Sequence, residues 1–196
     1  MIKLLLIISL VMYMQASEAF ITSDDLKSKL EQKNLVLLDV TDSATYAIGH
    51  IPNAINVNVF DFRKNVEGYQ LMKSPDKVQS LVRSFGVNND SEVIIYGHGK
   101  PKELLKSSYI ATALLIHGVK KVSILDGAYS DWLFEYKELT SIESPTLSEG
   151  NFLVKYNPNI LVDRHYVSKQ INKVAMLEAR PERYFTGEDQ SRGVRR

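Results

Sequence analysis

Hydrophobic positions along the chain fall into two kinds of run. Leu35-Val36-Leu37-Leu38 and Val93-Ile94-Ile95-Tyr96 are continuous apolar stretches, and Val122 to Leu125, apolar but for Ser123, reads as a further strand. Runs without polar alternation suit strands buried on both faces of a parallel sheet. Between them the spacing turns helical. Val78, Leu81, Val82 and Phe85 recur at i, i+3, i+4 and i+7. Ser74-Pro75-Asp76 precedes them and Gly86 follows, which predicts a helix with proline at its first position and glycine just past its end. Thr22-Ser23-Asp24-Asp25 offers an N-cap and an acidic first turn for a helix to about Lys33. Ser43 to Ile48 reads as a short helix stopped by Gly49, Glu103 to His117 as a helix ended by Gly118, and Asp126-Gly127 as the turn into a last helix carrying Trp132. Ala54 to Val59 reads as one more strand. Strands separated by helices imply right-handed crossovers and an α/β fold, a parallel sheet with helices on both faces.

The pattern breaks after Leu139 and then restarts. Ser141, Ser144, Pro145, Ser148, Gly150 and Pro158 mark a linker over 140–160. Beyond it Val162-Asp163 to Ile171 reads as a helix and Ala175-Met176-Leu177 as a strand. Leu37-Leu38-Asp39-Val40 followed by Tyr46 and Gly49 corresponds to Met176-Leu177-Glu178-Ala179 followed by Tyr184 and Gly187, an internal repeat. The expected organisation is a complete domain over 20–139, the linker, and over 161–196 the start of a second domain that is cut short. So short a segment cannot bury a core without a partner.

The amino terminus follows a different logic. Lys3 supplies a positive charge, Leu4 to Met14 is an uncharged apolar run, and Ala16-Ser17-Glu18-Ala19 places small residues at the positions that precede a cleavage site. This is the pattern of a secretory signal peptide over 1–19, and Glu18 closes the run too early for a membrane span. An exported chain, periplasmic or secreted, starting near Phe20 and without a stable membrane anchor is expected.

Composition narrows the chemistry. With 24 basic and 23 acidic residues among 196, the net charge is +1. There is no sequence-wide electrostatic footprint for nucleic acid. The chain has no cysteine, which excludes disulfides, thiolate zinc sites, iron–sulfur clusters and a thiol nucleophile within it. No cofactor and no metal are expected.

Ligands of open parallel sheets sit beyond the carboxyl ends of the strands, which points to Asp39, the loop after Tyr96, and Asp126-Gly127. The loop Gly97-His98-Gly99-Lys100-Pro101-Lys102 leaves a strand and enters a helix N-terminus. Its glycines let N–H groups face inward, and with Lys100 and Lys102 such a nest would hold an oxyanion. The same residues also suit an ordinary connection with solvated lysines. His50, His98, His117 and His165 stand at no metal-ligand spacing, and a structural or exposed role is expected of each. The helix dipole accounts for Asp24 and Asp25.

The run Leu37-Leu38-Asp39-Val40, then Tyr46-Ala47-Ile48-Gly49-His50-Ile51-Pro52-Asn53-Ala54, resembles the signature of rhodanese-like domains, in which an aspartate ends a strand and Gly-His-Ile-Pro-x-Ala precedes the next. Asp39, Gly49, His50 and Pro52 are its structural motif. Gly49 is expected to end the helix in a left-handed conformation, and Pro52 to fix the approach to the strand. Val93 to Tyr96, Ala111 to Gly118, Val122 to Leu125, Asp126-Gly127-Ala128 and Trp132 are similar to later elements of that family. Glu178-Ala179-Arg180-Pro181, with Arg183, Tyr184 and Gly187, resembles the opening of the second domain of tandem thiosulfate sulfurtransferases, with Glu178 where that pattern has aspartate.

The resemblance implies a mechanism. A cysteine at the start of the loop after the central strand attacks the outer sulfur of thiosulfate or a related donor, forms a persulfide held by loop N–H groups, and passes the sulfur to cyanide or a thiol acceptor. Gly97 occupies that slot here, as a first domain of the tandem type would show, so the chain alone is expected to be inactive. The position of Arg183 is implied as a contact for the anionic donor, and Lys100, in the loop Gly97, His98, Gly99, Lys100, is the loop's own candidate for substrate binding, with a small sulfur-containing anion and a thiol as partners once a second domain completes the site. The rival class is a non-catalytic exported module that binds an anion or a protein. A phosphatase on a related fold also needs a cysteine.

Overall fold

A computed structural model describes residues 19–188, so the segment read as an export signal, save Ala19, lies outside the described residues. The chain forms two compact units, one reaching Pro158 and one beginning at Asn159.

The first unit is built on a five-stranded parallel sheet. Its strands are β1 (Phe20–Ile21), β2 (Leu35–Asp39), β3 (Ile55–Asn56), β6 (Glu92–Tyr96) and β7 (Lys121–Leu125), in the order β1-β7-β6-β2-β3. The two continuous apolar runs and the Val122 to Leu125 segment are the three central strands. Helices α1 (Ser23–Lys29), α2 (Ser43–Ile48), α3 (Pro75–Ser84), α4 (Pro101–Ile116) and α5 (Ala128–Glu135) connect or follow them. Alternate side chains of each strand point to opposite faces, so the sheet builds two cores. Leu38, Val93, Ile95 and Val122 pack with Val78 and Val82 of α3 and with Ile110, Ala113 and Leu114 of α4. Leu37, Ile94, Tyr96 and Leu125 pack with Leu26 of α1, Tyr46 of α2 and Tyr129 and Trp132 of α5. Each fully buried aliphatic side chain contributes on the order of 1.5–3 kcal/mol.

Several elements depart from the sequence reading. Helix α1 ends at Lys29 rather than Lys33. The strand expected over Ala54 to Val59 is only Ile55–Asn56, because the sheet edge offers it only Leu38 and Asp39 as partners. An antiparallel hairpin, β4 (Arg63–Val66) and β5 (Tyr69–Met72), was not expected. Nor was β1, which pairs through Phe20 with Ile124 and through Ile21 with Leu125. Helix α4 begins at Pro101, so the loop after β6 ends at Lys100 rather than Lys102. Gly49 has φ 169, an extended conformation and not a left-handed one. Its need for glycine is a close approach: a Cβ there would stand 3.0 Å from the Tyr129 hydroxyl.

Residues 140–158 contain no helix or strand beyond a bridge of Ser141 to His50, yet they are strapped to the first unit. Phe152 is buried in the α3–α4 core, Arg83 Nε donates to its carbonyl at 2.7 Å, and Asn157 N donates to Ile116 O at 2.7 Å. The second unit has α6 (Arg164–Gln170), capped by Asp163, and α7 (Glu182–Thr186). Ala175 to Leu177 forms no strand, and Leu177 is 96% exposed. A strand needs a neighbour to take its N–H and C=O groups, and the described part of this unit has none.

Candidate functional site

The carboxyl ends of β2 and β6 lie side by side, with Asp39 in register with Tyr96. That register places Asp39 beneath the loop that follows Tyr96. Asp39 is fully buried. Its Oδ1 accepts the Thr41 N–H at 2.8 Å and the Thr41 hydroxyl at 2.5 Å, which ties the strand end to the start of the next turn. Its Oδ2 stands 3.4 Å from His98 Nε2, within ion-pair distance but without hydrogen-bond geometry. The His98 ring rests against Tyr129 with centroids 4.3 Å apart. Tyr96 lies on the same side. Burial and the neighbouring Asp39 charge push its phenol well above the ordinary tyrosine range, so it is neutral, and its oxygen accepts the Ile51 N–H at 3.0 Å. Burial and Asp39 also raise Tyr129.

The loop Gly97–Lys100 is closed by a residue that no sequence motif flagged. Pro101 at the first helical position makes Lys100 the N-cap and places Glu103 at the third helical position, where a carboxylate can reach back to orphan N–H groups. Glu103 Oε2 accepts the His98 N–H at 2.7 Å and the Lys100 N–H at 3.2 Å. The pairing of proline at the first position with glutamate two residues on was the available signal. Gly99 takes φ +102, which turns the chain tightly enough for both N–H groups to converge. Gly97 O in turn accepts the Tyr129 N–H at 2.8 Å, so α5 holds the loop from its other side.

The remaining predicted residues divide between this place and others. Lys100 is at the loop but points outward, its side chain 67% exposed and Nζ 3.8 Å from Glu103 Oε1. Lys102 is exposed on α4. His50 is a buried clamp: Nδ1 is 2.9 Å from Tyr46 O, Nε2 is 3.1 Å from Glu143 O, and its ring stacks on Tyr46 at 3.8 Å. Pro52 lies in the turn after it. His117 caps α4, with Nδ1 2.6 Å from Ala113 O, and His165 is exposed on α6. Arg183 lies on α7 in the second unit, its guanidinium 5.0 Å from the Tyr184 ring. In that unit Arg180 holds the Glu178 carboxyl down to about 2 through a two-pronged contact, so the glutamate standing in the aspartate position is ionised and engaged.

Beside the loop opens a pocket of about 370 Å³ whose walls include Gly97, Gly99, Glu103, Leu104, Ser107 and Leu125. It lies at the carboxyl end of the sheet, where the fold places ligands. A family model for the rhodanese-like domain matches residues 22–135, which span α1 to α5, the sheet apart from its edge strand β1, and this loop. The chain belongs to the rhodanese-like domain family. Its relatives include a putative thiosulfate sulfurtransferase of Synechococcus elongatus, 30% identical over 179 residues, covering 90% of this chain and 55% of the relative. The 3-mercaptopyruvate sulfurtransferase of Escherichia coli is 30% identical over 158 residues, covering 77% of this chain and 54% of the relative. The chain therefore spans little more than half the length of these curated relatives. The rhodanese fold of SseA, a crystal structure from Escherichia coli described as a 3-mercaptopyruvate sulfotransferase, superposes with a TM-score of 0.74 at 24% identity, covering 90% of this chain and 72% of that one. The α/β architecture with a parallel central sheet is thus that of the rhodanese fold.

Proposed function

We propose that this rhodanese-like chain serves sulfur transfer as a domain without the nucleophile, and that the reacting thiol lies outside these 196 residues. The observation that carries the reading is the end of β6. Gly97 stands where a nucleophile would leave the strand, and the loop N–H groups behind it are already occupied by Glu103. The sulfurtransferase relatives support the reaction class.

In the proposed reaction a cysteine thiolate attacks the outer sulfur of thiosulfate. A sulfur–sulfur bond forms, the donor's own sulfur–sulfur bond breaks, and sulfite leaves with the electron pair. Cyanide or an acceptor thiolate then takes the outer sulfur and returns the cysteine as thiolate. Arg183, in the stretch that resembles a second domain, is the proposed contact for the anionic donor. Export is part of the same proposal. Cleavage after Ala19 spares β1, which starts at Phe20.

Reading the gene beyond the Arg196 codon tests the assignment. The expected result is a continuing frame that encodes a second Gly-His-Ile-Pro-type run and a cysteine at the end of an apolar strand. A stop codon followed by unrelated sequence would sink it and leave the binding module.

A further inference from the structure

A helix N-terminus behind a glycine loop takes its acceptor either from a bound anion or from a capping side chain. Here the acceptor comes from the chain itself. Glu103 is only 4% exposed, and its Oε2 takes the N–H groups of both His98 and Lys100. The one cation of the loop, Lys100, has Nζ 3.8 Å from the other oxygen of the same carboxylate. The stem of Glu103 matters as well as its charge. A Cβ built on Gly97 would stand 2.5 Å from Glu103 Cβ, 3.3 Å from its Cγ and 3.1 Å from Oε2. The nearest of these atoms belongs to the fixed base of the side chain, so rotating the carboxylate away would not open the slot. The adjoining pocket has the same Lys100 as its one lysine or arginine, set among the carboxylates of Glu103 and Asp126, and Ser107 Oγ, buried in its wall, has no hydrogen-bond partner among the described residues.

We propose that Glu103 is the specificity-determining residue of this loop: its carboxylate occupies the cradle in place of a sulfur-bearing oxyanion, and its stem closes the position of Gly97. The site therefore refuses anionic donors. The inference rests on reading Gly97–Lys100 as the counterpart of the family's donor loop. It adds that the loop is shut by a named side chain rather than merely lacking a thiol.

The test is a titration of the full chain with sodium thiosulfate, and with sodium sulfate in parallel, followed at the backbone amides of His98 and Lys100 by nuclear magnetic resonance. Wild type is expected to show no saturable shift at either amide. Glu103→Ala is expected to show saturable shifts at both, with affinity for each anion at least about tenfold above wild type, equivalent to about one charge-assisted hydrogen bond. Glu103→Gln keeps the size of the side chain and one acceptor oxygen, and is expected to fall between the two. Saturable binding by wild type as tight as by Glu103→Ala would overturn the proposal, and so would failure of both variants to bind more tightly than wild type. Sulfur-transfer activity does not enter the readout, so a wrong assignment of the reaction would leave this result standing or falling on its own.

Discussion

Gly97→Cys is expected to place a thiol at the end of β6 without creating a sulfurtransferase, and to lower stability by about 1–3 kcal/mol through overpacking. The reason is geometric. Any residue at 103 with a Cβ keeps that atom 2.5 Å from a Cβ at 97. Gly97→Cys combined with Glu103→Ala therefore keeps the overlap, whereas Gly97→Cys combined with Glu103→Gly removes it and frees the N–H groups of His98 and Lys100. The glycine itself costs about 1 kcal/mol in the first turn of α4, so the gain is read in thiol chemistry rather than in melting temperature. Reaction of the introduced thiol with a disulfide reagent, measured on the folded proteins, is expected to be slow in Gly97→Cys, slow in the alanine double variant and fast in the glycine double variant. Equal rates in all three would mean that the slot is open already.

Asp39→Ala is expected to cost about 3 kcal/mol, read as a fall in the denaturation midpoint at unchanged slope. The carboxylate is fully buried and holds both the Thr41 N–H and the Thr41 hydroxyl. Its removal strands a buried donor and leaves His98 without the facing charge at 3.4 Å. Asp39→Asn keeps an acceptor of nearly the same shape and is expected to cost about 1 kcal/mol. This ordering identifies Asp39 as a positioning residue that fixes the floor beneath the loop. A loss below about 1 kcal/mol for the alanine variant contradicts that role.

The elements that were legible in the sequence are those whose pattern reflects burial. The runs Leu35 to Leu38 of β2 and Val93 to Tyr96 of β6 are apolar without interruption because both sheet faces are covered, β7 is apolar from Val122 to Leu125 but for Ser123, and α3 shows its stripe between a proline and a glycine. What escaped has physical causes. The hairpin of β4 and β5 is mostly exposed, so Arg63 to Met72 carries no strong apolar alternation, and its signal was the two-residue turn Glu67-Gly68, both at positive φ. Strand β1 is two residues long and adjoins the segment read as a cleavage site. Ala175 to Leu177 has the composition of a strand, but composition does not supply a neighbour. At the site, the ends of β2 and β6 and the loop between β6 and α4 were all located from sequence. The missing part was the occupant. A glutamate one turn into a helix looks like an ordinary solvated charge until Pro101 is taken as the first helical residue, which directs Glu103 back onto the loop.

The same register that brings Asp39 beside Tyr96 leaves nothing able to accept a sulfur atom at this end of the sheet: a glycine, a histidine held over a buried aspartate, and a carboxylate already bound to the loop. Thiocyanate formation from thiosulfate and cyanide by the purified 196-residue chain is the most direct measurement of this claim. The expected rate equals that of the reaction without protein, and turnover above that background by the chain alone would contradict it.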